Sequence, residues 1–383
     1  MERKMAKKFG GVVIGFDLGR DDSQLTFYHQ NLAEPVTAEL LQTPRDIFSL
    51  VEQKVDLGVA LLSNFLRDSF AKLNKGELPK NMVVMVTMAK LNNTWAKAIR
   101  HALEMLEIPR ERIYVQDYQE SFYYYILAQK QEYWRNKVAL FRYEEDSIIA
   151  YEFEMNQKTR PALGTVKKRT RLYLDTKAKE EFAGADWQQT KDKLFLHLMK
   201  EVMTGEVFSS AYLVGEVFEE GWLNKSQTFL RSKCPAFVGN NLYTRGACLA
   251  ALAKIEEGEQ PIFLYHGPDM IEHNIGMQMY VAGVVSYQNM ITAGIHYCMA
   301  DSTCEFLLEG TTEVVLESHS IHGESLLHTI TLNDLPKRPA KGTRLHMHLD
   351  FIQKDRCKVK IDDLGMGEIC PSSGKKWEAV LEL

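Results

Sequence analysis

The sequence lacks any long hydrophobic run, and this absence argues against a membrane protein. No stretch of about 18 apolar residues, the length that a spanning helix needs, occurs in the 383-residue chain. The basic start, with Arg3, Lys4, Lys7 and Lys8, also lacks the apolar segment of a signal peptide. We therefore expect a cytoplasmic location, no membrane partner, and a solvated basic tail over residues 1–10.

Cysteine is scarce, and metal-binding patterns are missing. The six cysteines include no CxxC pair, so we expect free thiols in a reducing compartment. His346 and His348 alternate along a predicted strand and can share one face, but two ligands are too few for a zinc site. We expect no structural metal.

The charge is also nearly balanced. A net charge of -5 argues against nucleic acid as a partner, because such partners call for a basic surface. The chain is 45% hydrophobic and 25% charged, which is typical of a globular protein with enough apolar material for two or three domains.

The order of sequence patterns predicts two related α/β halves followed by a β-domain. A strand–turn–strand pattern over residues 11–29 leads into amphipathic helices, and the same pattern recurs from residue 138. From residue 261 the pattern changes to period-two alternation with glycine, asparagine and proline between the runs, which predicts antiparallel strands. The predicted segments are a first lobe at 11–136, a second lobe at 137–258 and a β-rich domain at 259–383.

Four segments resemble, in the same order, the actin and DnaK-type heat-shock chaperone ATPase superfamily. They are GFDLGRDDSQL (15–25), the strand–helix–strand stretch 83–127, VALFRYEEDSIIAYEFE (138–154) and the strand–turn–helix stretch 211–252. The tail at 332–368 is similar to the chaperone peptide-binding β-domain. The resemblance implies an α/β, two-lobed, actin-like (ribonuclease H-like) ATPase fold with a C-terminal antiparallel β-domain.

The resemblance also implies a nucleotide site for ATP or ADP with Mg²⁺ between two hairpins. Asp17 would hold Mg²⁺ through water, and Asp117 would orient the attacking water. The residues implied to contact the nucleotide are Gly19, Ser23, Arg142, Ser147, Gly215 and Gly246. Two alternatives stay open: Asp17 can simply accept N–H groups of its turn, and Gly246 can simply allow close helix packing.

The second hairpin departs from this pattern. Where the superfamily has glycines, residues 141–147 read FRYEEDS and contain none, so close backbone approach to a phosphate is blocked. Glu144, Glu145 and Asp146 add negative charge that a phosphate would meet. Arg142 takes the place of a carboxylate, although an arginine can itself bind phosphate. These features predict weak or absent ATP hydrolysis.

We therefore predict a pseudo-ATPase or nucleotide-binding interaction module with a protein or peptide partner. The alternative is an active chaperone-like ATPase that couples Mg-ATP binding to a β-domain holding a peptide or protein. A small-molecule kinase and a filament-forming protein are further options. Whether the chain is an enzyme is left open by the sequence.

Overall fold

The computed structural model describes most of the chain, in two compact units. The described residues are 9–144, 146–159, 161–174, 180, 187–255, 263–339 and 342–383. Residues 1–8 of the predicted basic tail and Glu145 of the second hairpin lie outside the described residues. The units are Met1–Gly267 and Pro268–Leu383. No helix in the described ranges is long and apolar enough to cross a membrane.

The first half of unit one is a mixed sheet with helices. Its strands are β1 Val12–Asp17, β2 Asp22–Tyr28, β3 Val36–Thr37, β4 Leu41–Gln42, β5 Met82–Met88 and β6 Ile113–Asp117. The helices are α1 Ile47–Gln53, α2 Val55–Ala71, α3 Asn93–Glu104 and α4 Tyr118–Leu127. The strand order is β3-β2-β1-β5-β6, with β4 beside β2. β1 and β2 form an antiparallel hairpin, whereas β1, β5 and β6 run parallel.

Local sequence explains these elements. All seven residues of β5 are buried, as expected for a parallel strand covered on both faces. The Asn92 side chain accepts a hydrogen bond from the Trp95 N–H (3.0 Å), which caps the start of α3 as its position in the sequence predicts.

The second half repeats the arrangement. Its strands are β7 Lys137–Glu144, β8 Ser147–Asn156, β9 Ala162–Tyr173, β10 Phe208–Val214, β11 Ala236–Val238 and β12 Phe263–Tyr265. The helices are α5 Trp187–Met203, α6 Lys225–Lys233 and α7 Leu242–Ile255. The order is β11-β10-β7-β8-β9-β12, with β7, β8 and β9 antiparallel and β7, β10 and β11 parallel.

The two sheets therefore share one topology. In each, the first three strands lie side by side in chain order and run antiparallel. Two further strands lie parallel to the first strand on its other side. A duplicated sheet of this order is the actin-like, ribonuclease H-like fold. The predicted fold class is confirmed.

Two elements cross the segment boundaries that the sequence pattern suggests. α7 follows β11 of the second sheet in the chain but packs on the first sheet, where its Ala247 and Cys248 join a core with Val13 and Val83. β12, which the alternating pattern assigns to the β-domain, pairs in parallel with β9. A three-residue strand carries too little periodicity to indicate its sheet.

Unit two is an antiparallel β-domain, as predicted. Its strands are β13 His273–Val281, β14 Val284–Ile291, β15 Asp301–Leu308, β16 Glu313–Ser320, β17 Ser325–Thr331, β18 Thr343–Gln353, β19 Arg356–Asp363 and β20 Lys376–Glu382. They form two four-stranded sheets, β14-β13-β16-β17 and β15-β18-β19-β20. Inward residues of both sheets, such as Leu316 and Leu349, share one core.

Candidate functional site

Asp17 is the last residue of β1 and opens the first hairpin. Its Oδ1 accepts a hydrogen bond from the hydroxyl of Tyr118 (2.6 Å), the first residue of α4. Burial raises the pKa of Asp17 to about 7, although the Tyr118 hydrogen bond and the charge of Arg142 act in the opposite direction. A carboxyl with this pKa is only partly ionised at neutral pH.

Arg142 lies near the end of β7 and opens the second hairpin. Only 6% of the residue is exposed. Its guanidinium carbon lies 5.0 Å from the centre of the Tyr118 ring and 5.9 Å from that of Tyr151. The guanidinium also forms an ion pair with Glu144 of the same hairpin. A desolvated cation over aromatic faces gains about 2 kcal/mol.

A third ring completes this group. Tyr118 and Tyr243, from α7, stack with their centres 3.9 Å apart and their planes 7° from parallel. We call Arg142, Tyr118, Tyr151 and Tyr243 the arginine stack. The stack joins α4 and α7 to β7 and β8, and Asp17 contacts it through Tyr118. The two hairpins therefore meet at these side chains.

Three of the residues predicted to contact the nucleotide, Gly19, Ser23 and Ser147, contact other groups of the chain. Ser23 is fully buried, and its Oγ lies 2.7 Å from Thr43 Oγ1. Ser147 is also fully buried, and its Oγ donates to the Glu144 carbonyl (2.7 Å), which closes the turn of the second hairpin. The space beside Gly19 is filled by its own turn, because an added Cβ would lie 2.1 Å from the Asp22 carbonyl oxygen. Gly19 and Ser147 therefore serve turn geometry, whereas Ser23 contacts the segment that follows β4.

Asp117 caps α4. Its Oδ1 accepts the Glu120 N–H (2.7 Å), and its carbonyl accepts the Thr87 hydroxyl (3.2 Å). Burial raises the pKa of Glu120 to about 8, with a further rise from the charge of Asp117, whereas Lys254 lowers it. The cap role explains a carboxylate at this position.

Gly215 and Gly246 occupy tight positions. Gly215 has a φ of +122° and donates its N–H to Asn240 Oδ1 (3.0 Å), so its backbone conformation favours glycine. At Gly246 an added Cβ would lie 2.0 Å from the Ser121 carbonyl oxygen, where α7 meets α4. Gly246 thus permits close helix packing, the alternative that its sequence context left open.

The sequence placed Asp17 and Arg142 on facing hairpins, and the structure brings both to Tyr118. It did not identify Tyr118 and Tyr243. The usable signals were indirect: Tyr118 directly follows Asp117, and Tyr243 precedes Gly246 by three positions, so both stand at helix starts next to predicted site residues.

The strand order places the chain in a class, and a comparison with protein families places it in a family. The class is the actin-like ATPase fold, defined by the duplicated sheet. The chain belongs to the family of unknown function DUF5716, whose C-terminal model matches residues 39–267. A domain of unknown function, DUF8552, matches residues 270–383. No curated protein matches the chain.

Several solved structures are similar at low sequence identity. A protein of actin-like ATPase fold and unknown function from Bacteroides thetaiotaomicron is 10% identical, with 63% of this chain and 96% of that chain covered and a TM-score of 0.35. The inorganic polyphosphate/ATP-glucomannokinase of Arthrobacter sp. strain KM is 13% identical, with 63% and 99% covered and a TM-score of 0.37. The Aquifex aeolicus member of the Ppx/GppA family is 13% identical, with 63% and 89% covered and a TM-score of 0.28. At such scores the fold assignment rests on strand order alone, and the DnaK-type resemblance stays a prediction.

Proposed function

We propose that the chain is a pseudo-ATPase interaction module. It keeps the two-lobed fold, but its own side chains occupy the place where the two hairpins meet. The observation that carries this proposal is the arginine stack, with Tyr118 bonded to Asp17 and the Arg142 guanidinium over the Tyr118 ring.

The residues present do not fit Mg²⁺. This ion needs ionised oxygen ligands and keeps several of its waters. Burial raises the pKa of Asp17 to about 7, so the ionised form is disfavoured, and Tyr118 already occupies Oδ1. The positive charge of Arg142 beside Asp17 further opposes a cation. We therefore derive no reaction step through a metal ion.

The residues also do not form a phosphate cradle. Such a cradle needs backbone N–H groups that a ligand can approach closely, which glycine provides. The described part of the second hairpin has Tyr143, Glu144 and Asp146 instead, and the Tyr143 hydroxyl donates to Asp146 Oδ1 (2.9 Å). Arg142 is already paired with Glu144, which Arg171 also approaches at 3.7 Å. A phosphate would have to displace these carboxylate contacts.

A module without hydrolysis acts through contacts with other molecules. We therefore propose a protein or peptide partner in the cytoplasm, in line with the composition. The active chaperone-like ATPase is the competing function, and the same experiment distinguishes the two.

The test is an ATP turnover assay on the full chain with Mg²⁺, beside an Asp17→Ala variant. We expect equal phosphate release from both proteins, at the level of a heat-inactivated sample. We also expect no change in melting temperature with millimolar Mg-ATP or Mg-ADP. Turnover that the Asp17→Ala variant loses would instead establish the active ATPase.

A further inference from the structure

The edge of the second sheet carries an exposed apolar strand. β11 is the last strand in the sheet order, and all three of its residues are exposed. Val238 is 50% exposed. Within the described ranges, β10 is the sole strand that pairs with β11, so the other side of β11 is an open sheet edge.

The backbone of this edge is available to another strand. The Ala211 N–H donates to the Pro235 carbonyl (2.9 Å), and the Gly239 N–H donates to the Leu213 carbonyl (3.2 Å). These bonds turn residues 235 and 239 towards β10. Because backbone polar groups alternate along a strand, the N–H and C=O groups of Ala236 and Val238 point outward from the sheet.

A cavity of about 170 Å³ lies beside the same edge, between β10, β11 and α6. Ala236 and Val238 line one side, and Leu230 of α6 lines the other. Gln227 and Arg231, both exposed residues of α6, also line it. The volume suits one large apolar side chain, with polar groups at the opening.

The charged side chains of α6, which borders the cavity, are all basic. α6 contains Lys225, Arg231 and Lys233 and no acidic residue. Arg231 and Lys233 lie in its last turn, directly before the chain enters β11, and both are exposed. A basic helix end attracts negatively charged partners and raises their rate of association.

We propose that this edge binds an extended acidic peptide of a partner protein. The peptide adds a strand beside β11 and bonds to the outward backbone groups of Ala236 and Val238. One large apolar side chain enters the cavity, and neighbouring carboxylates pair with Arg231 and Lys233. The inference deepens the proposed interaction module by assigning its surface and the chemistry of its partner.

The experiment selects binding peptides from a random library on the immobilised full chain, in the absence of nucleotide. Enriched peptides are then measured by fluorescence anisotropy on the wild type, on Arg231→Glu and on Val238→Asp. The matched control is Arg67→Glu, which makes the same charge change on the exposed surface of α2. All these positions are exposed, so the fold is retained, and circular dichroism checks this.

We expect enriched peptides to combine acidic residues with one large apolar residue. Their affinity should fall at least tenfold in Arg231→Glu and in Val238→Asp and stay within twofold in Arg67→Glu. Equal binding by all variants, or no enrichment, would overturn the proposal. So would sedimentation showing self-association of the wild type that Val238→Asp abolishes, because a second copy would then occupy the edge. This test does not measure ATP turnover. A failure of the peptide proposal can therefore be told apart from a failure of the pseudo-ATPase proposal.

Discussion

The two hairpins of unit one occupy equivalent places in equivalent sheets, but the first strand carries a carboxyl at its end in one sheet and a guanidinium near its end in the other. The first strand of each sheet ends on the site, β1 with Asp17 and β7 with Arg142 close to its end. Asp17 pairs in register with Gln24 and Arg142 with Ile149, so both stand at corresponding points of a hairpin. Duplication of the backbone has thus not preserved the chemistry.

The difference shows that fold and site depend on different residues. The sheets are maintained by buried apolar side chains such as Phe16 and Phe141, both fully buried. The site depends on a few polar side chains at strand ends. Tyr118 contacts both groups without a ligand: its hydroxyl bonds to Asp17, and its ring lies under the guanidinium of Arg142. Glu144 supplies the counter-charge of Arg142.

Removing the guanidinium of Arg142 should have the largest effect, because it takes away the group that distinguishes the second hairpin from the first. In Arg142→Ala, Glu144 loses its partly buried ion pair and the rings lose their buried cation. We expect the free energy of unfolding to fall by about 3 kcal/mol, as for other broken buried pairs. Urea unfolding of the full chain measures this. The exposed control Arg67→Ala should change stability by less than about 0.5 kcal/mol, and equal effects would contradict a structural role for the stack.

The junction of the two halves gives the next effect. In Gly246→Ala the new Cβ would meet the Ser121 carbonyl oxygen, so α7 and α4 must separate. We expect about 2 kcal/mol of destabilisation from this overpacking. Gly205→Ala is a useful contrast, because Gly205 has a φ of +82° and open space around it, so its cost is backbone strain alone. A Gly246→Ala protein with unchanged stability would show that the close approach is not needed.

Neutralising the carboxyl is a smaller, pH-dependent test. Because burial raises the pKa of Asp17 from 3.8 to about 7, the folded state holds this proton more tightly than the unfolded state. Stability contributed by the protonated form is therefore lost as pH rises from about 4 to 7. We expect Asp17→Asn to be more stable than the wild type by about 1–2 kcal/mol at pH 8, since the carboxyl is only partly exposed.

The readout is the difference between the two unfolding curves at each pH. Glu120, whose pKa burial raises to about 8, titrates in the same range in both proteins and cancels in that difference. The advantage of Asp17→Asn should shrink as the pH falls from 7 towards 4. An advantage that is constant with pH would mean that Asp17 does not titrate in this range.

The fold could be predicted because its signals are local. The buried run of β5, the Asn92 cap and the change to alternating residues after 261 each depend on neighbours in sequence. The positions of Asp17 and Arg142 at strand ends followed from the same patterns.

The arginine stack could not be predicted, because its contacts are distant in sequence. Tyr118 and Tyr243 meet only because α7 returns to pack on the first sheet and approaches α4 closely at Gly246. No periodicity within either helix indicates that return. The assignment of β12 to the β-domain was wrong for a similar reason. β12 pairs with β9, and tertiary packing sets the pairing partner of such a short strand.

The most direct measurement is a crystal structure of the full chain grown with Mg²⁺ and a non-hydrolysable ATP analogue at millimolar concentration. The pseudo-ATPase proposal predicts Arg142 over the ring of Tyr118, the Tyr118 hydroxyl on Asp17 and no triphosphate between the hairpins. A triphosphate bound there, with Arg142 moved onto it and Asp17 facing a hydrated metal ion, would contradict the proposal.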